Sequence, residues 1–597
     1  MSDEVRNLRV RGIGVGSGVA IGPVAVLDRR GRVPRRRGLD GSEVEAEVER
    51  FLRAVTASAA GVETMRQAVL DSHGEAAAAL LDPLLFLHHD PLLVERTADL
   101  VRTELVNAEH ALATSIEQAK RALARSSASY FRERADDVEH VGQHVLRALA
   151  GEGGSRLPVD ERVILVATDL SPADAAELHG SSILGLVTTT GSATSHTALM
   201  AHSLGIPAVV GARMLPLRLA DGRLAVVDGL RGEVVVAPDD EVLEGARSRA
   251  DRYRVFAEGL SARGGAPIAT ADGTPITVLA NLDLPADVER VAGLGVAGVG
   301  LYRTEYLYLD RKALPDEDEQ VGVYGRILAA LAGRPLTLRT FDLGSDKLSF
   351  HPRWLRSTGA TLGRSGLRFS LLHPDVLRTQ MRAILRASAL GPVQIMFPRV
   401  ARRAELDAAR ELFDRCRLEL EQEGVPVGEV PIGVMIEVPS AALLAEHFAR
   451  AADFFSVGTN DLTQLTLAAD RSDALLAECA DPLDPSILRL LDLTAKAAVG
   501  ARIPLSMCGD MAADPMALPV VLGLGYERLS IPCDAVHLVA EAIRRVPRSE
   551  AVQTAEVALG LDAAEAVREL VYERFVGRLG DLWEQRGVSA RQVARRP

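Results

Sequence analysis

Arginines and carboxylates recur at the ends of eight short apolar runs between 276 and 532: ITVLANL, GVGLYRTE, LTLRTFDLG, VQIMFPRV, IGVMIEVP, FFSVGTNDL, PLSMCGD and RLSIP. The ends carry Arg303 with Glu305, Arg339 with Asp342, Arg399, Glu437, Asn460 with Asp461, and Cys508. Arg303, Arg339 and Arg471 offer planar donor forks suited to phosphate or carboxylate, and Lys347 adds a point charge. Glu437 and Asp461, on neighbouring runs, are hard oxygen donors. Two carboxylates suit Mg²⁺, which keeps water and substrate oxygens in its remaining positions, whereas zinc would want His or Cys. Together these residues describe a site for a small, multiply charged anion held partly through Mg²⁺. Each one alone would more often be a rim ion pair. Cys508, beside a glycine and an acid, reads as a nucleophile, a general acid or a small buried residue.

A second candidate lies upstream, where no Asp, Glu, Lys or Arg occurs between Glu177 and Arg213. Within that stretch GSATSHTALM predicts a turn over Gly191–Ser195, Ser195 as a helix N-cap, and His196 in the first helical turn. A helix N-terminus disfavours imidazolium, so the ring stays a neutral nucleophile able to accept a phosphoryl group.

These residues need elements to position them. An apolar strand, a polar end and an amphipathic helix, repeated eight times, predict a closed (β/α)8 barrel of TIM type whose functional groups lie at the C-terminal strand ends. Upstream, the short runs of residues 1–36 (RVRGIGVGSGVAIGPVAVLD) and 150–240 predict one discontinuous α/β domain. No register of Gly12 to Gly22 satisfies GxGxxG, so those glycines read as turns and close packing. Between the two parts, 37–149 reads as an inserted helical bundle with breaks near Gly74, Pro91 and Asn107. Val44, Val48, Phe51, Leu52 and Val55 form its first apolar face, and Ser42 with Glu45 a capping box. Residues 241–265 read as a linker helix and hinge, 266–548 as the barrel, and 549–597 as an exposed helical extension with a basic end, RQVARRP.

The 597 residues allow three or four cores at about 100 to 200 residues each. With 47% hydrophobic and 25% charged residues the class is globular, and the net charge of −13 argues against a nucleic-acid partner. Cys416, Cys479, Cys508 and Cys533 form no CxxC pair, so neither disulfides nor a zinc knuckle are expected. The N-terminus MSDEVRNLRVRG has no signal-peptide core. A cytoplasmic protein without membrane insertion is expected.

The motifs TSHTALMAHSLGIPAVVG, VGLYRTEYLYLDRKALPDEDEQ, LRTFDLGSDK, QMRAILRAS, GVMIEVPSA, DFFSVGTNDLTQLTLAADR and MCGDMAAD, with YFRERADDVEHVG in the helical insert, closely resemble the Enzyme I family of the bacterial sugar phosphotransferase system. The likeness runs in order from about residue 8 to 545. It implies phosphoryl transfer from phosphoenolpyruvate to His196 on a swivelling domain and on to the carrier HPr, with release of pyruvate. Ser171, Thr194 and Ser195 would support the ring, and Glu437 and Asp461 would hold Mg²⁺. Arg303, Arg339, Asn460, Asp461 and Arg471, with Lys347, would bind the substrate, and Cys508 would protonate the enolate. The insert would dock HPr, and the barrel would carry a homodimer interface. Pyruvate phosphate dikinase and phosphoenolpyruvate synthase share parts of this pattern, but no ATP-grasp-sized segment precedes His196.

The chain departs from the family pattern at several positions. Ala193 stands for an arginine beside the histidine, and Ser365 aligns with another family arginine, leaving Arg364 or Arg368 to compensate. Ser345 interrupts the usual GGDK before Lys347, and Asp510 replaces glutamate. In the insert, LLDPLLFLHHD carries Pro83 and displaces His88 and His89 from the usual face. Each lost charge-assisted contact costs about 1.5 to 3 kcal/mol. Two further readings accompany the leading one: a specialised paralogue serving a regulatory or dihydroxyacetone branch, and a non-catalytic sensor of phosphoenolpyruvate or HPr.

Overall fold

A computed structural model describes most of residues 6–261, 268–342, 365–469 and 479–585, with short interruptions. The segments 74–84, 125–137, 151–161, 171–177, 192–196, 343–364 and 470–475 lie outside the described residues. The chain divides into two compact units, 1–255 and 256–597, and the division falls within the helix Asp240–Ser261.

In the first unit the β-rich runs on both sides of the helical segment enter one sheet. Strands β1 (Leu8–Arg11), β2 (Ile13–Val15) and β3 (Val19–Leu27) join β4 (Ile164–Ala167), β5 (Gly185–Thr188), β6 (Ala208–Val210), β7 (Leu224–Asp228) and β8 (Glu233–Val236) in the order β1-β8-β7-β3-β4-β5-β6-β2. The pairs from β3 to β6 are parallel, and the flanking pairs are antiparallel. The N-terminal glycines serve as turns: Gly16 and Gly18 take φ of +73° and +102°, open only to residues without a Cβ.

The inserted segment contains the helices Val44–His73, Val94–Glu104 and Ala108–Ala124, which share a separate apolar core. Val44, Val48, Phe51 and Val55 are buried in it, whereas Leu52, one residue off that stripe, is exposed. The expected capping box is not what starts the first helix. Glu45 pairs with Arg102 at 2.9 Å, and the Glu43 carboxylate accepts the Asp40 N–H at 3.0 Å.

In the second unit all eight expected strands form: β9 (Thr277–Leu282), β10 (Val299–Arg303), β11 (Leu336–Arg339), β12 (Val393–Phe397), β13 (Ile432–Ile436), β14 (Phe454–Val457), β15 (Leu505–Met507) and β16 (Arg528–Pro532). They pair in parallel and in sequence, and β16 closes onto β9 through Leu529↔Val278 and its neighbours. The C-terminal extension corrects the expectation of an exposed helix. Val567, Val571, Phe575, Leu579, Leu582 and Trp583 of the helix Ala564–Gln585 are buried in the same core as the barrel. One face of that helix repeats apolar residues every three to four positions, and the burial this offers outweighs solvation. The basic terminal residues lie outside the described set. Among the described residues, no helix is long and apolar enough to cross a membrane.

Candidate active site

Each strand delivers its last residues to the C-terminal rim of the barrel. Arg303 and Arg339 end β10 and β11, Glu437 and Cys508 directly follow β13 and β15, and Asn460 and Asp461 open the helix Thr459–Leu467 after β14. Three carboxylates converge there: oxygens of Asp342, Glu437 and Asp461 lie within 4.8 Å of one another. Glu437 is 1% exposed, and the neighbouring Gly458 leaves room for it, since a Cβ there would stand 2.9 Å from its Oε2.

Two guanidinium groups bind this acidic cluster. Arg339 donates from Nη2 to Glu305 Oε1 at 2.8 Å and pairs through Nη1 with Asp342 Oδ2 at 3.3 Å. Arg399 donates from Nε to Asp342 Oδ1 and from Nη2 to Asp461 Oδ1, both at 3.1 Å, while its backbone N–H donates to Glu437 Oε1 at 2.6 Å. Burial pushes the Asp342 carboxyl up to about 6 against the pull of Arg339 and Arg399. Burial, with Asp342 and Asp461 beside it, holds Glu437 well above the usual carboxylate range.

Among the described residues, buried polar atoms without a hydrogen-bond partner gather at the same strand ends: Glu305 Oε2, Arg339 Nε, Thr340 Oγ1 and Thr459 Oγ1. Such atoms are rare in interiors, and a bound ligand is one source of the partner each one lacks. Three close carboxylates, two of them holding their protons unusually tightly, fit a divalent cation bound by oxygen. The cluster would then contain Asp342 as well as the two carboxylates expected to hold Mg²⁺. Asp342 was visible in the sequence as a strand-end acid, but the turn that brings it to Glu437 was not.

The remaining described candidates surround this centre. Arg303 faces Asp283, at 3.1 and 3.3 Å from Nη1 to the two carboxylate oxygens. Asn460 and Asp510 clamp each other: Asn460 Nδ2 donates to Asp510 Oδ2 and the Asp510 N–H donates to Asn460 Oδ1, both at 2.9 Å. Asp510, noted in the sequence only as a departure, thus orients a candidate substrate ligand. Cys508 is 3% exposed and its Sγ lies 3.5 Å from the Val457 carbonyl. Burial pushes its thiol up to about 11, so at neutral pH it is a protonated donor and not a thiolate. Arg368, considered as a substitute for the arginine absent at Ser365, is committed to Glu405 at 2.7 Å. Arg364, Lys347 and Arg471 lie outside the described residues.

In the first unit, the chain leaves the neighbouring parallel strands β4 and β5 at their C-terminal ends, where the Thr190 hydroxyl and N–H both donate to the Thr168 carbonyl at 2.7 and 3.0 Å. Ser171 follows β4, and Thr194, Ser195 and His196 follow β5. All four, and Ala193, lie outside the described residues, whereas Thr197 and Ala201 just beyond are buried. In the helical insert, His88 is 1% exposed with Nε2 2.8 Å from Ser58 Oγ, which makes it a packing residue. Pro83 and His89 lie outside the described residues.

Three family models match in chain order: the N-terminal domain of PEP-utilising enzymes over 11–134, their mobile domain over 159–232, and their PEP-binding domain over 258–548. The chain is 35% identical over 577 residues to the phosphoenolpyruvate-protein phosphotransferase of Bacillus sp. (strain S), covering 96% of this chain and 100% of that one. It is 36% identical over 568 residues to the protein of the same name from Priestia megaterium, covering 95% and 99% respectively. Against that of Bacillus subtilis (strain 168) the identity is 34% over 568 residues, again covering 95% and 99%. With three matching domains in one order and relatives that align over nearly its whole length, the chain belongs to the phosphoenolpyruvate-protein phosphotransferase family of PEP-utilising enzymes.

Proposed function

We propose that this chain moves the phosphoryl group of phosphoenolpyruvate to His196 and then to the phosphocarrier HPr, releasing pyruvate. The observation that carries this reading is the barrel rim, where Asp342, Glu437 and Asp461 converge beside Arg339 and its unpaired Nε. Phosphoryl transfer needs positioning and charge neutralisation more than covalent chemistry from the protein. Arg303 and Arg339, with Arg471 and Lys347, hold the substrate's phosphoryl and carboxylate oxygens, and Asn460 adds a donor fixed by Asp510. Glu437, Asp461 and Asp342 are the residues that would hold Mg²⁺, whose part when bound is to neutralise the substrate's oxygens.

A neutral ring nitrogen of His196 attacks phosphorus in line as the P–O bond to the enolate breaks. Ser171, Thr194 and Ser195 steady the ring. Cys508, a protonated thiol, gives its proton to the methylene carbon of the enolate, which becomes pyruvate, and regains one from solvent. His196 must meet phosphoenolpyruvate and later an acceptor, so the domain that carries it is mobile on the linker and hinge 241–265. The discontinuous domain 1–36 and 150–240 carries the histidine, the insert 37–149 receives HPr, and 266–548 binds the substrate. The helix Ala564–Gln585 of the extension completes the barrel's outer core. The protein works in the cytoplasm as a homodimer joined through the barrel.

The test is incubation of the full chain with ³²P-labelled phosphoenolpyruvate and Mg²⁺, followed by HPr. Acid-labile label on the parent protein, its absence from His196→Ala, and its passage to HPr are expected. An unlabelled parent would leave a sensor of phosphoenolpyruvate as the function, and label that HPr does not accept would point to another carrier.

A further inference from the structure

One residue, Arg399, touches all three carboxylates of the barrel rim. Arg399 lies just beyond β12 with φ of +52°, a left-handed conformation that a side-chain-bearing residue keeps only when its surroundings impose it. The imposition is visible on two sides. The Arg399 N–H is held by Glu437, and Gly366 packs so closely that a Cβ there would stand 2.8 Å from the Arg399 Cβ and 3.1 Å from Asp342 Oδ1. The guanidinium is thereby aimed between Asp342 and Asp461, accepted by one oxygen of each.

Those two carboxylates belong to the cluster that fits a divalent cation. A guanidinium and a metal ion cannot share them, because like charges a few ångströms apart repel strongly in a poorly solvated site. Arginine cannot relieve the conflict by losing its proton, and freed donors on a permanent cation require an anion. The Arg399 side chain is 29% exposed, whereas Asp342 is 4% and Asp461 15% exposed, so the arginine is the partner with room to turn outward. Arg339, at 12% exposure and tied to Glu305 as well, has less freedom. The anion within reach is the one that binds beside the cation. Ser365, the neighbour of Gly366, brings no positive charge to that side of the rim, and Arg368 is engaged with Glu405.

We propose that Arg399 is an exchangeable counter-cation: it closes the carboxylate cluster while no metal is bound, and swings to the phosphoryl oxygens when a divalent cation and phosphoenolpyruvate bind together. This rests on the barrel rim being the cation and phosphoenolpyruvate site. The consequence is synergy, in which the cation alone binds weakly because it must displace a guanidinium, and the incoming anion gives that guanidinium a new partner.

The experiment measures free Mn²⁺ by electron paramagnetic resonance during titration of the full chain, in a His196→Ala background that prevents turnover, with and without phosphoenolpyruvate. Arg399→Met removes the charge at similar bulk, and Arg399→Gly removes it while relieving the backbone, so both variants need not fail to fold. Both are expected to bind Mn²⁺ alone about ten-fold tighter than the parent and to lose most of the gain that phosphoenolpyruvate confers. Arg399→Lys, which keeps the charge without the fork, should bind Mn²⁺ alone like the parent. If either uncharged variant binds Mn²⁺ within about two-fold of the parent while Glu437→Gln abolishes binding, the site stands and the role of Arg399 is overturned. If the parent binds no Mn²⁺ that Glu437→Gln can remove, the reading of the rim fails, and the proposal with it.

Discussion

The barrel rim and the C-terminal ends of strands β4 and β5 treat charge in opposite ways. At the rim, Glu305, Arg339, Asp342, Arg399, Glu437 and Asp461 form one network of buried or half-buried ions whose members each depend on another for compensation. At the ends of β4 and β5, the chain from 178 to 212 carries no Asp, Glu, Lys or Arg, and its described contacts are hydroxyl and amide bonds such as those of Thr188 and Thr190. A site that must neutralise a multiply charged substrate pays for desolvating ions and recovers that cost when the substrate arrives. A site that must keep an imidazole neutral does better with no charges nearby. On the proposed function, the two halves of one reaction thus call for opposite electrostatics.

The largest expected break in this comparison comes from Glu437→Gln, which preserves shape and removes one charge from the carboxylate cluster. Phosphorylation of His196 should fall about 10³-fold, measured as initial rate of labelling, with the thermal transition kept. Cys508→Ser should slow pyruvate formation about 10²-fold, and the protein should no longer catalyse deuterium uptake into the methyl group of pyruvate in heavy water, because a serine hydroxyl is a far weaker acid than a thiol whose value is about 11.

Acidification sharpens the contrast from another side. Asp342 and Glu437 are raised by burial, Asp342 to about 6, so the protonated forms that cannot ligate a cation grow as pH falls. Mn²⁺ affinity should therefore decline as pH drops through 6, above the range of an ordinary carboxylate. Titration of metal affinity across pH 5 to 8 checks this independently of His196, and a flat profile would contradict it. The smallest effect is expected at the uncharged strand ends. Thr190→Val, which removes an exposed neutral hydrogen bond to the Thr168 carbonyl, should cost about 0.5 to 1.5 kcal/mol or less in denaturant melts.

Much of the barrel was legible because its code is local. Six of the eight apolar runs end in the polar residues read as candidates, and the eight runs read from the chain are the eight strands observed. The candidate ligands Glu437 and Asp461 were legible for the same reason. Asp342 and Arg399 stood in plain view at strand ends, yet their meaning depended on loops that turn them onto Glu437 and Asp461. The helix Ala564–Gln585 misled in another way. Its apolar stripe was readable, but whether the stripe meets solvent or a core depends on what packs beside it. The capping pair likewise differs: Glu43 accepts the Asp40 N–H, and Glu45 pairs instead with Arg102, distant in sequence.

The amino-acid sequence by itself determined the order of elements, the family, and which residue types wait at the strand ends, since hydrophobic period and motif spacing are properties of neighbours along the chain. Tertiary structure alone decided which charges share one cluster, that burial raises the Cys508 thiol, and that Arg399 lies against all three acids. Those are properties of distance and burial, set by barrel closure between residues such as Arg399 and Asp461 that are 62 positions apart.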